Sequence, residues 1–228
     1  MNPLRVLRAF VQGFEQLRGV LVPGVTVQQI EQRTGGFVVH TPHARFDAQR
    51  VVLAAGLGNR ALAPMVGLSA PVSPNRGQIL VTEKVQPVLS FPTADIRQTD
   101  EGGLLLGSSQ EEAGFDDRVT IGNSGAIARR AIDTFPFIGD LRIVRSWAAL
   151  RVMTPDGLPV YEASPTHPGA WVVSCHSGVT LAAAHVHGVA AAIARGRLPP
   201  QYAHCSAARF AAPAPGTAGK EAHVPQPA

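Results

Sequence analysis

Leu4, Leu7, Ala9, Phe10, Val11, Phe14 and Leu17 recur at helical spacing, which predicts an amphipathic helix over residues 4–18. Asn2 stands where a cap is favoured, and Pro3 where a first-turn proline is. Pro23-Gly24 breaks that pattern, and Val25, Val27 and Ile30 open a strand-rich region. Gly35-Gly36 reads as a hairpin turn into a strand over 37–41, with a short strand at 45–48. The run VVLAAG at 51–56 is apolar on both faces, as a buried parallel strand is. A short helix is expected at 61–66. Strands are expected at 72–82 and 103–106, with weaker candidates at 88–90 and 96–99. Ile121, Ile127, Ala128, Ala131 and Ile132 give 121–134 a helical period, after which 141–152 and 170–174 read as strands. An Ala-rich helix over 178–195 closes the pattern. Ala, Pro and Gly dominate from about 206, so 206–228 is expected to be a disordered tail. The mixture of helices, hairpin and buried strand predicts an α/β (α+β) fold.

Composition narrows the classes. The chain has 228 residues, 45% hydrophobic and 16% charged, with a formal net charge of +4, too apolar and too weakly charged for a disordered chain. A pI near 9.7 raises the question of anionic partners. The basic residues are scattered, however, with the densest spots at Arg129-Arg130 and at Arg195 with Arg197, and no aromatic residues between them. A nucleic-acid partner needs a basic stripe and is not expected. Cys175 and Cys205 make neither a disulfide framework nor a zinc spacing. The N-terminus lacks a signal-peptide pattern. The most lipid-like stretch, 179–194, carries His185 and His187 and is shorter than the ~20 residues a bilayer requires. A reduced, cytoplasmic protein without a membrane span is expected.

Three segments have candidate chemistry. VVLAAG is either a plain buried strand or one whose small terminal residues admit a ligand to the backbone. In Pro74-Asn75-Arg76-Gly77-Gln78, either a turn carries a solvated arginine or polar groups flank a ligand-facing glycine. Arg151 interrupts the otherwise apolar WAALRV, so its charge must face a cavity or a partner. Its planar fork suits a carboxylate. The strand before Ser174 then runs through His176-Ser177-Gly178 into a helix start, a place where backbone N–H groups meet electron-rich ligands. His185 and His187 diverge by about 200° on a helix and cannot share a metal, and no metal site is expected. Cys175 and His176 point to opposite faces, so Cys175 reads as a small buried residue.

In order, VVLAAG, P-N-R-G-Q, W-A-A-L-R-V-M-T-P-D-G-L-P and C-H-S-G-V-T-L-A-A resemble the D-amino-acid oxidase family of FAD-dependent oxidoreductases over about residues 2–200. The last motif looks closest to the family's multi-subunit dehydrogenases of D-hydroxyproline, opines and glycine (the last in hydrogen cyanide synthase). The chain as a whole resembles the glycine oxidase, D-hydroxyproline dehydrogenase and hydrogen cyanide synthase subunit type. The resemblance implies a partial Rossmann-like FAD-binding sheet plus a mixed β-sheet substrate domain with flanking helices. Residues 1–70 and 151–205 would belong to the first and 71–150 to the second. It implies non-covalent FAD, touched by Val27 through its backbone, by Ala55 and Gly56 in the dinucleotide groove, and by Arg76 and Gln78 near the flavin. His176, Ser177, Gly178, Val179, Thr180 and Leu181 would offer N–H groups to the pyrimidine end of the ring, and Arg151 would bind the substrate carboxylate.

The implied reaction is oxidation of the C–N bond of a D-amino acid, glycine, proline-like amino acid or secondary amine, by hydride transfer to flavin N5. The protein then supplies orientation and electrostatics, with no catalytic side chain expected. Partner subunits of a multi-subunit dehydrogenase are also implied. The family's opening G-x-G-x-x-G turn has no counterpart here, since Gly35-Gly36 and Gly102-Gly103 have other spacings. The chain is therefore expected to be a fragment that starts midway. That departure leaves a second reading, a non-catalytic fragment or scaffold subunit that binds no FAD alone.

Overall fold

The computed structural model describes residues 2–211. Helix α1 (Pro3–Gln16) starts where the sequence places it, because the Asn2 side chain accepts hydrogen bonds from the Leu4 and Arg5 amides at 3.0 and 3.4 Å. No residue of α1 is buried. Arg5 ties the helix to the rest of the chain through ion pairs to Asp100 at 2.7 Å and Glu101 at 3.2 Å.

Three sheets follow. Strands β1 (Gln29–Arg33), β2 (Gly36–His40) and β3 (Arg45–Ala48) form an antiparallel meander. It turns at Gly35, whose φ of 86° lies in the left-handed region. Val27 lies just before β1 and packs against the buried core beside Ile30 and Phe37. The second sheet has the order β4-β10-β9, from β4 (Val51–Leu53), β9 (Val160–Ala163) and β10 (Ala170–Ser174). β4 runs parallel to β10 and β9 antiparallel to it. The third sheet is antiparallel with the order β6-β7-β5-β8, from β5 (Ser73–Lys84), β6 (Ile96–Gln98), β7 (Gly103–Gly107) and β8 (Ile143–Met153).

Two cores result. One gathers Ile30, Phe37, Leu53, Val66, Val160, Val172 and Ala207, so both ends of the chain contribute to it. The other sits between the third sheet and α3 (Ile121–Thr134), where Leu80, Ile96, Leu104 and Leu106 meet Ile127 and Ala131. The short α2 (Asn59–Leu62) links β4 to a 3₁₀ turn before β5. The C-terminal helix is α4 (Ala182–Ala184), a π-helical turn (His185–Ala190) and α5 (Ala191–Arg195). Among the described residues no helix is long and apolar enough to cross a membrane.

Several expectations need correction. Residues 88–90 form no strand, because Gln98 captures the Val88 and Leu89 amides at 2.8 and 3.1 Å in place of a ladder. The C-terminal helix starts at 182 rather than 178, since 178–181 form a turn. β9 lies where a loop was expected. Residues 206–211 are folded: the Ser206 hydroxyl and Ala207 amide bond Glu162 at 2.8 and 3.1 Å, and Ala207 is buried. The rest of the expected tail, 212–228, lies outside the described residues.

Candidate functional site

Parallel pairing sets the C-terminal ends of β4 and β10 side by side, the edge at which open α/β sheets take ligands. Asn59 joins the two ends from a fully buried position. Its Oδ1 accepts from the Ala55 amide at 2.9 Å, and its Nδ2 donates to Leu53 O at 3.0 Å, Val173 O at 3.2 Å and Ser174 Oγ at 2.8 Å. Ala55 and Gly56 therefore neighbour the turn that follows Ser174. Gly56 has φ +58°, and a Cβ there would stand 3.3 Å from Val152, so the turn runs close to β8.

Beyond β10, residues 176–180 are exposed. The Leu181 amide bonds Ser177 O, but the amides of Gly178, Val179 and Thr180 find no acceptor among the described residues. Three consecutive free donors fit an electron-rich ligand edge, such as the pyrimidine end of a flavin. A cleft of about 590 Å³ runs between this turn and α1, lined on the helix side by Pro3, Val6, Leu7 and Phe10. Arg151 does not line it, so the structure does not bring Arg151 and the 176–181 turn around that cleft.

Arg151 lies on β8 directly across from Asn75 on β5, and the two side chains share a face of the third sheet. Its Nη1 donates to Asn75 Oδ1 at 3.1 Å and its Nη2 to Ser108 Oγ at 2.8 Å. Both partners are neutral, and Arg151 has no ion pair among the described residues. The guanidinium lies flat on the β5 backbone at Gly77, where a Cβ would stand 2.4 Å from both Nη atoms. A half-buried cation without a counter-ion is a strong attractor for an anion.

Arg76 and Gln78 face the other way. Arg76 is buried and forks onto Glu111 at 2.6 and 2.9 Å, with Asp116 at 3.0 Å. Gln78, fully buried, donates to Glu111 at 2.8 Å and to Thr120 Oγ1 at 2.9 Å, and accepts from the Thr120 amide at 2.9 Å. Burial raises the Glu111 carboxyl, but hydrogen bonds from Ser109, Arg76 and Gln78 outweigh it and hold the group ionised. Alternation along β5 thus sends Asn75 and Gly77 to Arg151, and Arg76 and Gln78 to an ionic cluster that fixes the start of α3.

Behind β10, the Tyr161 hydroxyl and His185 Nε2 lie 2.7 Å apart, their rings edge-on. Burial raises the Tyr161 hydroxyl and lowers the His185 imidazole, so both are neutral at pH 7. Burial also raises the Cys175 and Cys205 thiols, which leaves both as weak nucleophiles. His176 contacts Ser177 at 3.2 Å. Among the described residues no three His, Cys, Asp or Glu side chains are placed to hold a metal.

Sequence reasoning missed Asn59 and Ser108 as positioning groups, and it read Gly77 as facing a ligand where the structure lays the Arg151 guanidinium on it. It also passed over Gly56-Leu57-Gly58-Asn59-Arg60-Ala61, which follows β4 with G-x-G-x-x-A spacing. That turn leads only into the four-residue α2, and the chain then leaves for the third sheet. It is therefore not built as a pyrophosphate turn.

The family profile described as FAD dependent oxidoreductase (DAO) matches residues 1–192. An opine oxidase subunit of Agrobacterium tumefaciens (strain Ach5) is 45% identical over 210 residues, which are 92% of this chain and 57% of that protein. Hydrogen cyanide synthase subunit HcnC of Pseudomonas protegens (strain DSM 19095 / LMG 27888 / CFBP 6595 / CHA0) is 30% identical over 175 residues, 70% of this chain and 40% of that protein. The crystal structure of glycine oxidase from Geobacillus kaustophilus superposes with a TM-score of 0.75 at 29% identity, covering 82% of this chain and 53% of the other. The chain spans about half the length of the curated relatives it matches.

Proposed function

The chain belongs to the DAO family of FAD-dependent oxidoreductases, and from that premise we propose that it carries the substrate-facing part of an enzyme oxidising the C–N bond of an amino acid or secondary amine. The observation that carries this reading is the Arg151 guanidinium, laid on Gly77 and held by two neutral partners. Arg151 binds the substrate carboxylate by two parallel N–H···O bonds and so fixes where the α-carbon stands. The Gly178, Val179 and Thr180 amides and the turn at Ala55-Gly56 hold non-covalent FAD, which when bound supplies a two-electron acceptor. The same reading puts residues 1–70 and most of 151–205 on the cofactor side and 71–150 on the substrate side, with Arg151 itself on the substrate side, because β8 (Ile143–Met153) carries it in the sheet of β5.

The relatives' names extend it. Glycine, D-proline-like amino acids and opines all present a carboxylate beside an amine carbon, the group Arg151 selects. The opine oxidase and hydrogen cyanide synthase relatives are both named as subunits, which favours work within an assembly with partner subunits. A second reading, a chain that holds no FAD by itself, is favoured by the turn at 56–61, which has the spacing of a pyrophosphate turn but not its helix.

The test is expression with supplied FAD, alone and with candidate partner subunits, followed by flavin absorbance and dye reduction with glycine, D-proline and an opine. Arg151→Ala is expected to raise KM about 100-fold, or about 3 kcal/mol, with kcat changed far less. An unchanged KM overturns the role of Arg151. Flavin retained only with a partner favours the second reading.

A further inference from the structure

We propose that Gly77, Asn75, Ser108 and Glu112 form a cradle that presents Arg151 to its anion in one fixed orientation; this rests on the carboxylate reading above. Arginine has five N–H groups. Two are taken, one on each Nη, by Asn75 Oδ1 and Ser108 Oγ. The Nε–H and the second N–H on each Nη remain, which is enough for a two-point grip on a carboxylate.

Each partner of the cradle has its own constraint. The Asn75 amide has two ends, and only its oxygen accepts from a guanidinium. Glu112 settles the choice, because its Oε1 accepts from Asn75 Nδ2 at 2.9 Å and so turns Oδ1 toward Arg151. Ser108 and Glu112 reach this face from one short segment. It runs beside β5, anchored by mutual amide–carbonyl bonds between Arg76 and Glu111 at 2.9 and 3.0 Å. Alternation along that segment gives Glu111 to the buried ionic cluster and Glu112 to Asn75. Gly77 provides the floor, since any side chain there would displace the guanidinium. The two groups that touch the guanidinium, Asn75 and Ser108, are neutral, and the cradle's carboxylate, Glu112, reaches it only through Asn75, so no anion pairs with the cation directly. These four are positioning residues, acting through Arg151.

The test reads the Arg151 guanidinium by NMR in the full chain, its Nη resonances assigned by their loss in Arg151→Lys. Rotation of the group is expected to be slower than that of exposed Arg60, and faster in Asn75→Ala, Ser108→Ala and Gly77→Ala. The same samples are titrated with pyrrole-2-carboxylate, with pyrrole-2-carboxamide as the uncharged control. Each variant is expected to bind the carboxylate about ten-fold more weakly, with Ser108→Thr restoring it. Asn75→Asp should hold the guanidinium more firmly yet bind the probe at least ten-fold more weakly, because its own carboxylate neutralises the charge. A structural role alone would not give that split.

Arg151 rotation as fast as that of Arg60, or variants that bind like the wild type, overturn the cradle and leave the carboxylate reading standing. A wild-type chain that holds Arg151 rigidly but does not distinguish the acid from its amide overturns the carboxylate reading instead. Should Gly77→Ala fail to fold, the two alanine substitutions at Asn75 and Ser108 decide.

Discussion

Asn59 satisfies three backbone groups and a serine hydroxyl from a position water does not reach. Asn59→Ala leaves two of those groups buried and two half-buried without this partner, so the variant should lose about 2–4 kcal/mol in urea unfolding. A loss below about 1 kcal/mol would show that the ends of β4 and β10 are held by something else. No motif marks this residue, because its value lies in joining positions 53–55 to 173–174, a separation no local pattern encodes. The two arginines make the same point. Arg151 interrupts an apolar run and Arg76 sits beside Gly77, and the sequence invites both toward one ligand. The β5–β8 register puts Arg151 across from Asn75 and Arg76 across from Leu150. One arginine thus reaches an open face with neutral partners, and the other a buried carboxylate. Register is a property of strand pairing, so the sequence put Arg76 near the flavin and Arg151 on the substrate without showing that they face opposite ways.

Among the elements, α1, α3 and β10 are legible because their period is long or their apolar run clean. β9 is not, since a four-residue strand set between Pro159 and Pro165 looks like loop. The 3₁₀ turn Ala207–Phe210 was hidden by Ala-rich composition, and only its partners reveal it. Arg209 bonds Asp156 with two parallel contacts at 2.7 and 3.0 Å, lowering the Asp156 carboxyl from its ordinary value to about 2. In the unfolded chain that carboxyl keeps its ordinary affinity, about 3.9. Between these values the unfolded state binds more protons, so the contribution is full above about pH 5 and is lost as pH falls toward 2. The melting temperature of the wild type should therefore fall more steeply across pH 4 to 2 than that of Arg209→Ala. Parallel curves would mean that this ion pair does not hold the C-terminal turn.

At the scale of the whole molecule, the apolar pattern of VVLAAG asks for cover on both faces, yet Val52 is 43% exposed. The same holds for α1, where Leu4, Leu7, Phe10, Phe14 and Leu17 are all exposed, Leu17 by 86%. Val179 and Val186, on the facing turn and helix, are half exposed. Of these, Leu7 and Phe10 of α1 share the walls of neighbouring clefts with Val179 and Val186, an exposed apolar surface of the kind that suits a contact with another protein. That agrees with the proposal of work within an assembly and gives α1 a role that burial in the chain's own core does not. Leu7→Glu with Phe10→Glu should then leave the unfolding free energy of the chain within about 0.5 kcal/mol of the wild type, as surface substitutions do. The same pair should lower co-purification with partner subunits. If the double variant instead unfolds the chain by itself, α1 belongs to the core and the contact lies elsewhere. If it alters neither stability nor assembly, this surface is not where the enzyme is put together.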